Sequence, residues 1–572
     1  MLNAAIWPTL DYSRVPYRLY HDPEAYQREQ ERIFRGPTWN FLGLEAEIPN
    51  PGDFRTTYVG DTPVIVNRDP DGTIHALVNR CAHRGAMVRR EMSGNAREHT
   101  CIYHQWCYGL DGRLNSIPFR RGIRGKGGLD PSFDMAAHGL RKLRVAAVNG
   151  ALFGTLTDDV EPLEDYLGAP VLAQLRRLFE RPVMILGYNR QRIRANWKLY
   201  AENTRDNYHA SLLHEFLVTF GLDRSTQVGG VKMDARHRHN ITWAEAESDT
   251  SELAQEAYGA ARVRSNYLSL KEPELVRFRR ERADPLNIAI TSVFPSAVFV
   301  QISNSLAVRQ IRPRGVDEVE IFQTIARLRR RSARCDPAPA ALGQSRRPGR
   351  ARVDGGRRGD RDRASRDADR PGAEFGHRAG RRRGHLRPRL PGHRRAVARL
   401  LVVLRRAAGH RARGRGAMTL DRGAVGDLLA AYGGLLDDAK YEEWLGLFAE
   451  ECRYNVVSRE NHDRGLPAAL IFCDSRAVLE DRIMALREAN KYNIHTDRHL
   501  IGLPRLLRPE ADGPVVEAPF AVFQTDQEGS TRLFATGLYR DRLETAREGL
   551  KIRDKLVLLD TFAVPTLLAT PL

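Results

Sequence analysis

The stretch CAHRGAMVRREMSGNAREHTCIYHQWCYGLDGRL, residues 81–114, decides what the first part of this chain builds. Within it, Cys81-Ala-His83 and Cys101-Ile-Tyr-His104 stand seventeen residues apart. Each pair falls where a strand pattern gives way to a turn, so two loops can converge on one point. Two thiolates and two imidazoles suit a zinc ion, or a two-iron cluster with both cysteines on one iron and both histidines on the other. The chain has six cysteines, Cys81, Cys101, Cys107, Cys335, Cys452 and Cys473. So few in 572 residues argue against a disulfide framework. In a reducing compartment, close Cys/His spacings read first as metal ligands.

Outward from this stretch the pattern is that of short strands. TPVIVNRDPDGTIHALVNR, residues 62–80, reads as two strands around an Asp-Gly turn, and Val145 to Leu156 as another pair around Asn-Gly. After a polar, partly helical lead-in over residues 1–40, residues 41–155 read as a small all-β domain.

With those residues in place, the stretch resembles the Rieske [2Fe–2S] domain of aromatic-ring-hydroxylating oxygenases. The likeness lies in His83-Arg84-Gly85, Tyr103 before His104, Trp106 two residues after it, and Asp111-Gly112. It implies a Rieske cluster held by Cys81, His83, Cys101 and His104. Gln105 departs from the family, which usually has Gly there; this is a loop position and not a ligand. Cys107 reads as structural.

A second constellation runs from Glu202 to His214, ENTRDNYHASLLH. It sits in the strongest helical stretch of the chain, residues 195–221. His209 and His214 are five residues apart, roughly 140° around a straight helix. They can share a metal only if the helix bends or ends between them. Two histidines and one carboxylate leave open positions on a non-haem Fe(II), which is what oxygen chemistry needs. Asp206-Asn207-Tyr208-His209 followed by His214 resembles the large (α) subunit of the same oxygenases. The resemblance implies that His209 and His214 bind a mononuclear Fe(II). It also implies that Asp206 bridges His209 to His104 of a neighbouring subunit, and that Asn203 lines the pocket. YAENTRDNYHASLLHEFLVTFGLDRSTQ looks most like the salicylate-hydroxylase and anthranilate-dioxygenase branch, so small aromatic carboxylates are the expected substrates. Residues 287–325 alternate like an antiparallel sheet. Residues 156–325 therefore read as an α+β, helix-grip-like catalytic domain.

The formal charge of +19 first suggests a nucleic-acid or membrane partner. It belongs to one segment. Residues 326–417 hold 29 Arg, no Lys and 7 acidic residues, a net of +22, leaving 61 basic and 64 acidic residues elsewhere. The family's carboxylate ligand is expected near residues 355–360, inside this segment. Asp354, Asp360 and Asp362 lie there without a core pattern, so the third iron ligand stays unknown. One reading is a disordered Arg-rich arm that binds nucleic acid. It has Phe375 as its only aromatic for stacking. The favoured reading is an out-of-frame translation with no nucleic-acid role. Codons permitted for Val353 to Arg363, read one nucleotide later, give Ser-Met-Glu-Asp-Gly-Glu-Ala-Ile-Glu-Ile, which resembles the family's ligand region. Permitted codons for Ala398 to Met418 give RGFWSYYAELLGIEPAGAVQ and a stop that overlaps the Met418 start. Those for Arg327 to Ser332 give an acidic run in the same frame.

From Met418 ordinary globular texture returns. AVGDLLAAYGGLLDDAKYEEWLGLFAEECRY and RIMALREANKYNIHTDRHLIG resemble the small (β) subunit of these oxygenases, which implies an α+β cone of the nuclear-transport-factor-2 type over residues 418–572. His495 and Asp497 could suggest catalysis in that fold, but a β subunit implies a structural role. The whole is expected to be a multidomain α+β protein, the terminal oxygenase of a multicomponent ring hydroxylase. No Gly-rich dinucleotide fingerprint is present, so separate ferredoxin and NAD(P)H-dependent reductase components are implied, with O₂ and a small aromatic as substrates and an α3β3-type oligomer. Rival readings are a Rieske electron carrier and a demethylating monooxygenase. No apolar run is long enough for a signal peptide or a membrane span, so the expected location is cytoplasmic.

Overall fold

The computed structural model describes residues 13–329 and 420–572, except 125, 221, 223–226, 249–251, 253–255, 257–258, 260–267, 491, 508–512 and 566–567. Asp354, Asp360, Asp362 and nearly all of the arginine-rich segment lie outside the described residues. The described residues belong to one compact unit.

The first sheet has seven antiparallel strands. From one edge they run Asn40–Leu44, Ala151–Thr155, Lys142–Val148, Ile74–Val78, Thr62–Arg68, Asp53–Val59 and Ser93–Asn95. The two expected hairpins are both present. Asn149 and Gly150 turn at φ 46° and 88°, the positive pair that suits the twist of a two-residue hairpin. A three-stranded sheet, His99–Thr100, Cys107–Tyr108 and Leu114–Ser116, carries the second Cys/His loop.

Next comes an eight-stranded sheet, ordered Gln227–Met233, Asn240–Ser248, Leu286–Val293, Ala297–Ile302, Ser305–Pro313, Val319–Leu328, Val183–Ile193 and Ala563–Val564. Its central strands are β-branched and buried, and the helix Leu163–Leu178 packs Leu167, Val171 and Leu175 against the same core as Phe299 and Val308.

The stretch read as most helical, residues 195–221, is not one helix. It breaks into Trp197–Asn203, Ala210–Leu213 and Glu215–Thr219. The cause is local: Asp206 Oδ1 accepts from the backbone N–H groups of Tyr208 at 2.7 Å and His209 at 3.4 Å. Short polar side chains compete in this way with the helical hydrogen-bond ladder.

The C-terminal part opens with the helix Arg422–Asp437, whose N-terminus is capped by Asp421 accepting from Gly423 and Ala424. A sheet of seven strands follows, with Phe448–Ser458, Gly549–Leu559, Thr531–Ala546 and Val515–Asp526 as its long central members. Trp444, Tyr432, Tyr454 and Tyr539 fill the core beneath it. His495 stands 3.5 Å from Asp497, which also takes hydrogen bonds from Gln524 and Thr570.

This part touches the eight-stranded sheet through named contacts. Ala563–Val564 adds to strand Val183–Ile193 in parallel. The buried Asn461 accepts from Tyr188 N at 2.9 Å and donates to Tyr188 O at 2.9 Å and Ala468 O at 3.0 Å. Asp481 accepts from the backbone N–H groups of Lys271 and Glu272. Among the described residues, no helix is long and apolar enough to cross a membrane.

Candidate metal centres

The two Cys/His loops share one backbone pattern. Cys81 N donates to Ala86 O, and Gly85 N donates back to Cys81 O. Cys101 N donates to Trp106 O, and Gln105 N donates back to Cys101 O. In each loop the bonds close at the fourth and fifth residues after the cysteine. The closing residue must turn left-handed: Gly85 has φ 71° and Gln105 has φ 57°. That is the physical meaning of the Gln105 departure. The position favours glycine, and glutamine adopts the turn at a conformational cost of about 1 kcal/mol.

The loops bury their thiols and expose their imidazoles. Cys81 and Cys101 are 4% and 1% exposed, whereas His83 and His104 are exposed. The two imidazole rings lie 4.6 Å apart between centroids. His83 stacks on Trp106 at 4.8 Å, and Tyr103 stacks on His104 at 4.0 Å. Two inward thiols beside each other and two outward imidazoles beside each other fit a two-iron cluster with its histidine iron at the surface. Burial raises the Cys101 thiol, while the N–H groups of Tyr103 and His104 pull it down.

Tyr108, which the sequence alone did not single out, stands beside the first Cys/His loop. Its hydroxyl is fully buried, 3.0 Å from Cys81 Sγ and 3.1 Å from Ala82 N. The Ala82 N–H must donate to the phenol oxygen, so the phenol proton is free to point at sulfur. The available signal was a phenol seven residues after Cys101, on the strand that closes the second loop. Cys107 is buried in the same small sheet, with Thr100 Oγ1 at 3.5 Å. Burial pushes its thiol up.

The break in the 195–221 stretch brings the two histidines of the second constellation together. His209 caps the start of the four-residue helix Ala210–Leu213. His214 ends it at φ −92°, ψ 58°. Their Nε2 atoms converge to 3.2 Å. Two nitrogens bound cis at about 2.1 Å from one ion lie roughly 3 Å apart, so the pair fits a metal as it stands. Asn203 Nδ2 lies 3.2 Å from His209 Nε2. Asp206 Oδ2 lies 3.2 Å from His209 Nδ1, off the axis of a hydrogen bond, and Nδ1 has no hydrogen-bond partner. Thr242 donates to Asn207 at 2.8 Å and Ser292 to Thr204 at 3.0 Å, which ties the broken segment to the sheet. Burial, then the nearby charges of His209 and Arg309, lowers the His214 pKa and favours the neutral imidazole that a metal requires.

Among the described residues no group of three or more His, Cys, Asp or Glu converges on a single point. A cluster that divides its ligands two and two, and a histidine pair without its carboxylate, both give that result.

Three family models match in order along the chain: Rieske [2Fe-2S] domain at residues 38–126, ring hydroxylating alpha subunit (catalytic domain) at 180–352, and ring hydroxylating beta subunit at 433–566. The anthranilate 1,2-dioxygenase large subunit of Burkholderia cepacia is 48% identical over 320 residues, 55% of this chain and 75% of that one. The terminal oxygenase subunit alpha 2 of terephthalate 1,2-dioxygenase from Comamonas sp is 42% identical, over 56% of this chain and 77% of that one. The salicylate 5-hydroxylase large oxygenase component of Ralstonia sp is 43% identical, over 54% and 74%. Among solved structures, naphthalene 1,2-dioxygenase from Rhodococcus sp. bound to indole is 26% identical, covering 56% of this chain and 74% of that one, with a TM-score of 0.45.

Proposed function

The chain belongs to the ring-hydroxylating Rieske non-haem iron oxygenases, with α- and β-subunit parts in one polypeptide, and from that premise we propose that it is the terminal oxygenase of a multicomponent system acting on a small aromatic carboxylate of the anthranilate or salicylate class. The observation that carries the reading is the convergence of His209 and His214 Nε2 at 3.2 Å in the same chain as the two Cys/His loops. An electron carrier has no use for that second pair.

When bound, a Rieske cluster supplies single electrons and a mononuclear Fe(II) supplies the site of O₂ activation. The residues set the route. Cys81 and Cys101 would hold the buried end of the cluster, with the Tyr108 hydroxyl 3.0 Å from Cys81 Sγ. His83 and His104, both exposed, would hold its outer end and leave the imidazoles open to a neighbouring centre. His209 and His214, with their Nε2 atoms 3.2 Å apart, would hold the second iron. Asp206, 46% exposed at its side chain, is open on the side away from His209 and is assigned to bridge to His104 of a neighbouring subunit. That route requires an oligomer, for which we infer an α3β3-type arrangement with ferredoxin and NAD(P)H-dependent reductase as donors. We infer a cytoplasmic location, where the thiols of Cys81 and Cys101 stay reduced and available to a cluster.

The third iron ligand is assigned to the residues lost to a frame change inside the arginine-rich segment. The matched relatives leave about a quarter of their length uncovered, comparable to that segment. The chain as translated is therefore impaired in turnover. The test is to restore the frame, express both products, and measure substrate-dependent O₂ uptake with anthranilate and salicylate. Uptake by the frame-restored pair, and none by the 572-residue chain, is the expected result. Full turnover by the unaltered chain overturns the frame assignment, and uptake with neither substrate by the restored pair overturns the substrate class.

A further inference from the structure

A cavity of about 170 Å³ lies between the strand Asp53–Val59 of the first sheet and strands Ser305–Pro313 and Val183–Ile193 of the second. It shares no lining residue with either metal centre. Five arginines line it: Arg89, Arg90, Arg190, Arg312 and Arg314. Two carboxylates serve them. Glu320 lies 3.5 Å from Arg312 and also pairs with Arg314, and Glu460 lies 3.2 Å from Arg190. Arg89 binds only neutral groups, His99 Nδ1 and the Glu98 carbonyl. Arg90 donates its backbone N–H to the Glu91 carboxylate at 3.2 Å, and among the described residues neither the Arg89 nor the Arg90 guanidinium is paired with a carboxylate.

The guanidinium faces are already occupied. Arg190 and Arg312 stand over the Phe322 ring at 5.1 and 4.1 Å, and Arg314 over Tyr58 at 3.9 Å. Most in-plane N–H groups are engaged as well: Arg312 Nε donates to Gln310 at 2.9 Å and its Nη2 to Thr57 at 3.4 Å, and Arg314 donates from Nε and Nη2 to Glu320. Arg190 Nε is buried with no hydrogen-bond partner. Arg312 is 4% exposed, and burial, together with repulsion from Arg55, Arg314 and Arg190, pulls its guanidinium down to about 9 against the attraction of Glu320. An excess of like charge fixed around one partly open cavity is relieved by an anion with several acceptor oxygens.

We propose that this cavity is a binding site for a small oxyanion, either inorganic or the carboxylate of a small organic acid. The iron-loaded full chain is titrated calorimetrically with inorganic phosphate and, separately, with benzoate. One of them is expected to bind saturably, with affinity reduced tenfold or more in Arg312→Gln and in Arg90→Glu. Arg90 is exposed at the rim, so its variant keeps the fold and isolates the electrostatic contribution. Phosphate in preference to benzoate assigns the inorganic source; the reverse assigns the organic acid. No saturable binding of either anion, or binding that both variants leave unchanged, overturns the proposal.

Discussion

Replacing Tyr108 by Phe removes one oxygen and leaves the ring in place, so it isolates the phenol's contact with Cys81 Sγ at 3.0 Å. A hydrogen bond to a cluster sulfur stabilises the more negative, reduced state more than the oxidised one, and such bonds are among the factors that set Rieske potentials. Hydrogen bonds to charged groups contribute about 1.5–3 kcal/mol, and only the difference between the two redox states counts, on the order of 1 kcal/mol. For a one-electron couple, 59 mV corresponds to a tenfold change, so the potential should fall by about 40 mV. The Ala82 N–H, which donates to the same oxygen at 3.1 Å, loses its acceptor, costing about 1 kcal/mol or more of stability. The assay is a redox titration of the reconstituted chain, followed by the reduced-cluster signal. An unchanged or raised potential would refute the reasoning, because it would mean that the phenol proton does not point at sulfur.

Two further predictions concern the scaffold. Asn461→Ala strands Tyr188 N, Tyr188 O and Ala468 O, three buried or partly buried backbone groups. Stability should drop by about 3 kcal/mol, read as an earlier urea midpoint at unchanged slope; a loss below about 0.5 kcal/mol would show that water replaces the side chain. His99 and His239 are pulled down to about 4, mainly by burial, so both are neutral in the fold. Unfolded imidazoles take up protons near 6.5, so between about pH 6.5 and 4 the unfolded state binds more protons and stability falls with acid, on the order of 3 kcal/mol per histidine. The slope of stability against pH in that window should flatten in His99→Gln; an unaltered slope would mean that His99 titrates normally.

Much of this molecule was readable from local sequence, because its decisive features are short range. The Asp-Gly and Asn-Gly turns dictate their hairpins, and Cys81, His83, Cys101 and His104 lie close enough in sequence for two loops to unite them. His209 and His214 were readable only as a condition, that the helix must end between them. The structure meets it because Asp206 takes backbone N–H groups that a helix would use. Tyr108 was not legible as a ligand partner, since a hydroxyl reaching a thiol across two loops leaves no periodic trace. The arginine cavity was hidden for the same reason: Arg89 comes from a loop, and Arg190 and Arg312 from two strands far apart in sequence. Composition instead pointed to the charge of residues 326–417, which lie almost wholly outside the described residues.

The measurement closest to the central claim is iron and sulfide per chain. It is made on the purified protein after loading with excess Fe(II) and again after mild chelation, alongside a His209→Ala/His214→Ala variant. The account predicts two irons and two sulfides that resist chelation in both proteins. It predicts one further iron in the unaltered chain alone, held weakly and removed by the chelator. An iron content identical in the two proteins before chelation would contradict it and leave an electron carrier.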